Sequence, residues 1–159
     1  MFNFKKETSN FFVSPQSGRA VSIMEIPDEV FSEKILGDGV GIIPQDDIIV
    51  SPVDGKIVQI ADTKHAFCIT SDDGIDIMIH VGVDTVGLKG QGFECNVSVG
   101  QHVKAGEKIG SADIKFIQEK GYPLHTAVLV TNMSSVDKFD PIYGSVEAGV
   151  TKVIEYTKK

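Results

Sequence analysis

His65 and His80 are the residues best able to do chemistry, and the runs between them say how they are placed. Two stretches of alternating apolar residues, His65–Thr70 and Ile75–Val81, flank a Ser-Asp-Asp-Gly segment. Gly, Asp and Ser between two such runs read as a β-hairpin turn. A turn centred between Asp72 and Asp73 sets Thr70 opposite Ile75, Cys68 opposite Ile77, Phe67 opposite Met78, Ala66 opposite Ile79, and His65 directly opposite His80. Residues opposite each other in an antiparallel pair share a face, with Cβ atoms about 4.5–5.5 Å apart. Two imidazoles so placed can bind a metal, exchange a proton, or carry and steady a phosphoryl group. A phosphoryl group carries about −1.5 to −2 charge at pH 7, and a neighbouring imidazole that donates N–H or becomes cationic stabilises its oxygens. Phosphoryl transfer asks mainly for positioning and charge stabilisation.

In this register Ala66, Cys68, Ile75, Ile77 and Ile79 form the core face, which makes Cys68 a buried free thiol. The other face carries the imidazoles with Phe67 and Met78. These two are either an apolar rim over which a partner closes to exclude water, or part of a second apolar layer. Thr63 can accept a hydrogen bond from the His65 ring and fix its tautomer, or serve as a plain strand-edge residue. Asp84 follows His80 with Gly82 turning the backbone between them. It either caps a turn or holds a partner's Arg or Lys at the edge of the site; directly beside a phosphate it would repel. His102, in a Gly-rich turn, and His125, just before a strand, read as structural or surface residues.

The elements that position these groups are short strands. Val13–Ile23 (VSPQSGRAVSI) and Val50–Ile60 (VSPVDGKIVQI) share Val-Ser-Pro, a Gly at one offset, a basic residue, and then Val and Ile in register. Each is a Pro- and Gly-bearing turn running into an alternating strand. Two copies are too few for a solenoid and suggest paired hairpins within one β domain. Val97–Ile109 repeats a plan of strand, Gly turn, short strand, Gly turn, strand. A helical turn is expected after Pro27, a turn and strand over Leu36–Pro44, and a helix over Asp113–Lys120 ended by Gly121. Ala127–Thr131 reads as a buried strand, Asn132–Ser135 as a turn, and Val150–Tyr156 as a last strand. The fold class is all-β, an antiparallel sandwich or flattened barrel with duplicated hairpins and one or two short helices.

At 159 residues, 42% hydrophobic and 23% charged, the chain fits one globular domain, residues 13–159, after a tail over residues 1–12. Phe2, Phe4, Lys5 and Lys6 give that tail a means of touching membrane, but it is too short to fold alone and reads as a disordered end. A net charge of −7 argues against nucleic-acid binding and suits a basic partner protein. The two cysteines lack metal-type spacing and fit a reducing, cytoplasmic setting. No run reaches the roughly 18–20 apolar residues that span a bilayer.

HVGVDTVGLKGQGF, with TKHAF and VSPVDGKIVQI upstream, resembles the glucose-type IIA domain of the bacterial phosphoenolpyruvate:sugar phosphotransferase system. The likeness extends through VFSEKILGDGVGIIP, VSVGQHVKAGEKI and AVLVTNM and covers Val13–Val153. It implies a mostly antiparallel β-sandwich and a phosphocarrier that works without a cofactor. His80 matches the residue that accepts a phosphoryl group from the histidine-containing phosphocarrier protein and passes it to a cysteine of a sugar-specific IIB domain. His65 matches its supporting partner and Thr63 the residue that orients that partner. Asp28 and Asp84 match rim carboxylates, and Val30, Phe31 and Met78 fall among apolar docking positions, with Phe67 beside them. Met78 stands where better-known enteric members have Phe, and Ala61 precedes Thr63, so the patch is softer and smaller. The likeness also implies a cytoplasmic monomer that meets membrane only through its transporter, and the start at Met1 suggests a free-standing IIA protein.

Three other readings fit parts of the sequence. A zinc hydrolase finds two ligands in His65 and His80 and a poor third in Asp84, where catalytic zinc usually needs three; no metal is required, although the pair could take up zinc adventitiously. A biotinyl or lipoyl carrier is suggested by VKAGEKI, but Lys56 lacks the expected modification setting. A non-catalytic regulatory binding protein on the same fold remains the alternative.

Overall fold

Alternating runs broken by Gly and Pro can bury one face only by stacking short strands, and the computed structural model, which describes residues 10–159, is built that way. The strands are β1 Asn10–Val13, β2 Gly18–Ser22, β3 Asp38–Pro44, β4 Ile48–Val50, β5 Gly55–Ile60, β6 Ala66–Ser71, β7 Asp76–His80, β8 Phe93–Cys95, β9 His102–Val103, β10 Lys108–Ala112, β11 Thr126–Val130, β12 Val136–Pro141, β13 Gly144–Val146 and β14 Lys152–Lys158. Two short helices, α1 Glu29–Ser32 and α2 Ile114–Glu119, and three 3-10 turns join them. The ladders among the described residues are antiparallel. An eight-stranded sheet runs β13-β2-β3-β11-β7-β6-β5-β9, flanked by β1-β14-β12 and β4-β10-β8. One large core draws on all three sheets, from Phe12 and Ile49 to Ile79, Val128 and Tyr156.

The Val-Ser-Pro repeat is a structural duplication. Val13 N–H donates to the Pro52 carbonyl at 3.1 Å while Val50 N–H donates to the Pro15 carbonyl at 2.8 Å, so each copy hooks the other. Ser14 Oγ donates to the Gln16 carbonyl, as Ser51 Oγ does to that of Val53. Gly149 N–H donates to Ser14 O as Gly106 N–H does to Ser51 O. The two glycines meet, and a Cβ on Gly149 would lie 3.0 Å from the Gly106 Cα. Val97–Ile109 is therefore no third unit. Its VKAG segment (Val103–Gly106) matches VEAG (Val146–Gly149), and the leading strand expected at Val97 does not form. Instead, Gly100 N–H and the Gln101 carbonyl close onto Ile57. The tail boundary also moves: Asn10–Val13 pairs with β14 and buries Phe12, while residues 1–9, with the expected membrane contact of Phe2, Phe4, Lys5 and Lys6, lie outside the described residues.

The expected helices and strands over Asp28–Pro44 and Asp113–Tyr156 form within a few residues of their expected ends. Asp28 caps α1 by accepting from Val30 N–H at 2.9 Å, and Asp113 caps α2 by accepting from Phe116 N–H. No strand is expected from the sequence at β4, β8, β12 or β13, all of which form.

The hairpin forms, but one residue out of the expected register. Ala66 faces His80, Phe67 faces Ile79, Cys68 faces Met78 and Ile69 faces Ile77. The loop has three residues, not two: Gly74 N–H donates to Ser71 O, Ser71 N–H donates to Ile75 O, and Gly74 sits at φ 90°. A left-handed Gly closing a turn in this way is a bulge that adds one residue to the loop. Such a slip exchanges the two faces of a strand. Phe67 and Ile69 are fully buried, while Ala66 and Cys68 are half-exposed. Phe67 is thus core rather than rim, and Cys68 is not the buried thiol expected.

Candidate functional site

His80 is the last residue of β7, and both of its ladder neighbours are alanines, Ala66 on β6 and Ala127 on β11. No bulky cross-strand side chain therefore crowds the ring. Its Nδ1 lies 2.9 Å from the Gly82 carbonyl oxygen. A carbonyl only accepts, so Nδ1 carries the proton and Nε2 keeps its lone pair in the neutral ring. Gly82 sits at φ 76°, and a Cβ there would come within 2.4 Å of Thr85 Cγ2. Thr85 is itself fixed, its Oγ1 donating to the Val81 carbonyl at 2.5 Å. Only glycine turns its carbonyl to the ring without strain at this position.

His65 arrives from outside the strand. Lys64, at φ 61°, ends a tight turn in which its N–H donates to the Ala61 carbonyl, and Val81 N–H donates to the His65 carbonyl. Because His65 precedes β6, strict alternation does not bind it, and its ring meets His80 despite the shifted register. The centroids are 4.8 Å apart with planes at 82°. Thr63 Oγ1 lies 2.5 Å from His65 Nδ1, which occupies that nitrogen and leaves Nε2 free of this contact. Phe93 stands 6.4 Å away, and the residue is only 8% exposed.

Behind His80 lies a second apolar cluster of Ile23, Ile26, Phe31, Val83, Ala127 and Leu129, against which Met78 packs. The Phe31 ring sits 4.9 Å from that of His80. Phe31 is buried, so it supports the imidazole from behind, while Val30 is exposed and Met78 half-exposed. Asp84 is exposed at a left-handed φ of 58° and makes no cap bond with its carboxylate. Burial pushes both imidazoles below the ordinary histidine value, and for His65 the nearby His80 adds to the effect. For His80 the Gly82 carbonyl, Asp28 and Asp84 pull the other way.

The structure thus brings Thr63, His65, His80, Phe31 and Met78 together, with Asp28 and Asp84 close enough to act on His80 by charge. Sequence reasoning missed the Gly82 carbonyl, the paired alanines and the Phe31 contact. Only Gly82 left a signal, as a glycine where the backbone must turn. His102 lies elsewhere, its Nε2 2.8 Å from Asp72 Oδ1. Among the described residues no three His, Cys, Asp or Glu are grouped to hold a metal ion, and no helix is long and apolar enough to cross a membrane.

Residues 10–136 match the family described as phosphoenolpyruvate-dependent sugar phosphotransferase system, EIIA 1. The chain is 42% identical over 155 residues to a protein of Bacillus cereus named PTS system glucose-specific EIIA component, covering 97% of this chain and 94% of that one. It is 44% identical over 133 residues to the PTS system glucosamine-specific EIICBA component of Bacillus subtilis, covering 84% of this chain and 21% of that longer one. Glucose permease IIA from Mycoplasma capricolum has the same architecture, with a TM-score of 0.88 at 35% identity over 98% of this chain and 99% of that one.

Proposed function

The chain belongs to the phosphoenolpyruvate-dependent sugar phosphotransferase EIIA 1 family and is a phosphocarrier of that system, and we propose that His80 Nε2 is the atom that carries the phosphoryl group. One observation supports this most: the Gly82 carbonyl holds Nδ1–H, so the lone pair resides on Nε2, beside a second imidazole. The donor is the histidine-containing phosphocarrier protein. The Nε2 lone pair attacks phosphorus in line, the donor's N–P bond breaks, and the electron pair leaves with the donor imidazole. In the second transfer a thiolate of a sugar-specific IIB domain attacks the same phosphorus, and His80 departs as a neutral ring with Nδ1–H still on Gly82. Neither step requires a cofactor.

His65 steadies the transferred group. With the Thr63 hydroxyl donating to Nδ1 rather than accepting from it, the neutral ring carries its proton on Nε2, which can donate to a phosphoryl oxygen, and a dianion nearby raises the ring's proton affinity. Val30 and Met78 are the apolar docking surface, with Phe31 as backing, and Asp28 and Asp84 attract the partner's cations at the rim. A dry, closed interface strengthens each of these interactions. We read the working protein as a cytoplasmic monomer, meeting membrane only through its transporter. The sugar is a hexose of the glucose type, on the names of the relatives.

The test is incubation with phosphoenolpyruvate and the general phosphotransferase components, followed by mass measurement. One phosphoryl group is expected on the chain and none on His80→Gln; label persisting on that variant would sink the assignment.

A further inference from the structure

The stretch that follows the acceptor is backed by α2 and the residues that leave it. Val83 N–H donates to the Pro123 carbonyl at 3.1 Å, and the same carbonyl oxygen would lie 3.2 Å from a Cβ on Gly82. One residue before Pro123, Tyr122 reaches the 3-10 turn Thr85–Leu88. A Cβ on Gly87 would lie 2.6 Å from the Tyr122 hydroxyl oxygen and 3.5 Å from its Cζ. Gly87 does not adopt a left-handed backbone, so space rather than conformation calls for a glycine there. The phenol takes the place of the missing side chain. Further along, a Cβ on Gly92 would come 2.7 Å from Phe116 Cδ1, so a second aromatic, this one within α2, rests on a glycine of the same stretch.

Tyr122 is anchored at both ends. α2 closes with Gly121 at φ 83°, where Gly121 N–H donates to the Gln118 carbonyl and Tyr122 N–H to that of Ile117. These are the two bonds of a Schellman cap, which fixes the residue after the left-handed glycine. The Tyr122 ring is half-buried and packs against the main core. With its backbone and its ring both held, the hydroxyl is a fixed stop. From Gly87 the contact leads back to His80. Gly87 N–H donates to the Asp84 carbonyl at 3.0 Å, and Thr85, in the same turn, holds Val81 through Oγ1 and stands against Gly82 through Cγ2. The Gly82 carbonyl in turn holds His80 Nδ1. We propose that Tyr122 is a positioning residue for phosphoryl transfer, its hydroxyl seated on Gly87 to hold the turn that keeps the Gly82 carbonyl on the acceptor ring. The inference rests on His80 as the acceptor.

Tyr122→Phe removes one oxygen and leaves the ring in the core. In the full chain, the His80 Nδ1–H should then exchange with solvent at least about threefold faster. The maximal rate of phosphoryl acceptance should fall while KM for the donor protein holds. Gly87→Ala should disturb the His80 exchange more strongly, because its Cβ and the hydroxyl cannot share one place. Combining Gly87→Ala with Tyr122→Phe should recover much of the loss, since the new methyl occupies volume that the hydroxyl leaves. A lowered denaturant midpoint with His80 exchange and maximal rate unchanged would make Tyr122 a packing residue and overturn the inference. A double variant no better than Gly87→Ala would overturn it too. Where Gly87→Ala fails to fold, Tyr122→Phe decides alone by the same exchange and rate measurements. Phosphoryl found on another residue of the unaltered chain would instead overturn the reading beneath it.

Discussion

At the scale of single residues, the site depends on which ring nitrogen is held. Gly82 fixes His80 Nδ1 through a backbone conformation that a side chain opposes, so Gly82→Ala should destabilise the fold by about 1–3 kcal/mol. It should also slow phosphoryl acceptance, because the carbonyl can no longer hold its place. Denaturant midpoints and acceptance rates measured on one preparation would separate the two effects. His65→Gln should behave differently from His80→Gln, with acceptance retained and onward transfer to the IIB domain impaired. Equal loss of both steps would mean that the two roles are wrongly divided. Burial holds His80 below the ordinary histidine value, so the ring is neutral and nucleophilic at pH 7. Acceptance should stay level as pH falls past about 6.5 and decline only below it. Initial rates against pH would reveal a decline centred at or above 6.5 if burial were not in control.

At the scale of the hairpin, a single residue of register separates a core side chain from a docking one. The alternation of Ile75, Ile77 and Ile79, leading into and along β7, was legible as core, and all three are buried. The face of β6 was not, because Ser-Asp-Asp-Gly is compatible with a two- or a three-residue loop. The left-handed Gly74 and its bulge decide between them. The two histidines are neighbours in either register because His65 lies before β6, where a turn rather than alternation aims the ring. Phe67→Ala should therefore cost about 3–5 kcal/mol, as a large core deletion does. Met78→Ala, half-exposed, should cost about 1 kcal/mol or less and weaken partner binding instead. Thermal unfolding beside partner titration distinguishes these outcomes, and the reverse ranking would restore the other register.

At the scale of the molecule, the duplication was half-legible. The two Val-Ser-Pro turns announced themselves, because Pro and Gly positions leave a mark that drift in apolar residues does not erase. The matching VKAG and VEAG turns at Val103 and Val146 were equally present, but the second went unread. What the sequence could not supply was the hook between copies, Val13 to Pro52 and Val50 to Pro15, since backbone bonds carry no residue preference. Burial also has a consequence for the whole fold. His65, His80 and His125 all stand below their ordinary value, with desolvation as the leading cause. Between those lowered values and about 6.5 the unfolded chain binds more protons than the native one, so stability falls as pH drops through that window. Denaturant midpoints should decline from pH 7 to pH 5, with a shallower slope in His80→Gln, and equal slopes would deny His80 its share.

The central claim is narrower than the fold and can be read directly. After phosphorylation by the donor system, ring nitrogen–proton correlations of His80 should show phosphorus bonded to Nε2, with the proton retained on Nδ1. A phosphoryl group on Nδ1 would contradict the account, because that nitrogen is the one Gly82 occupies.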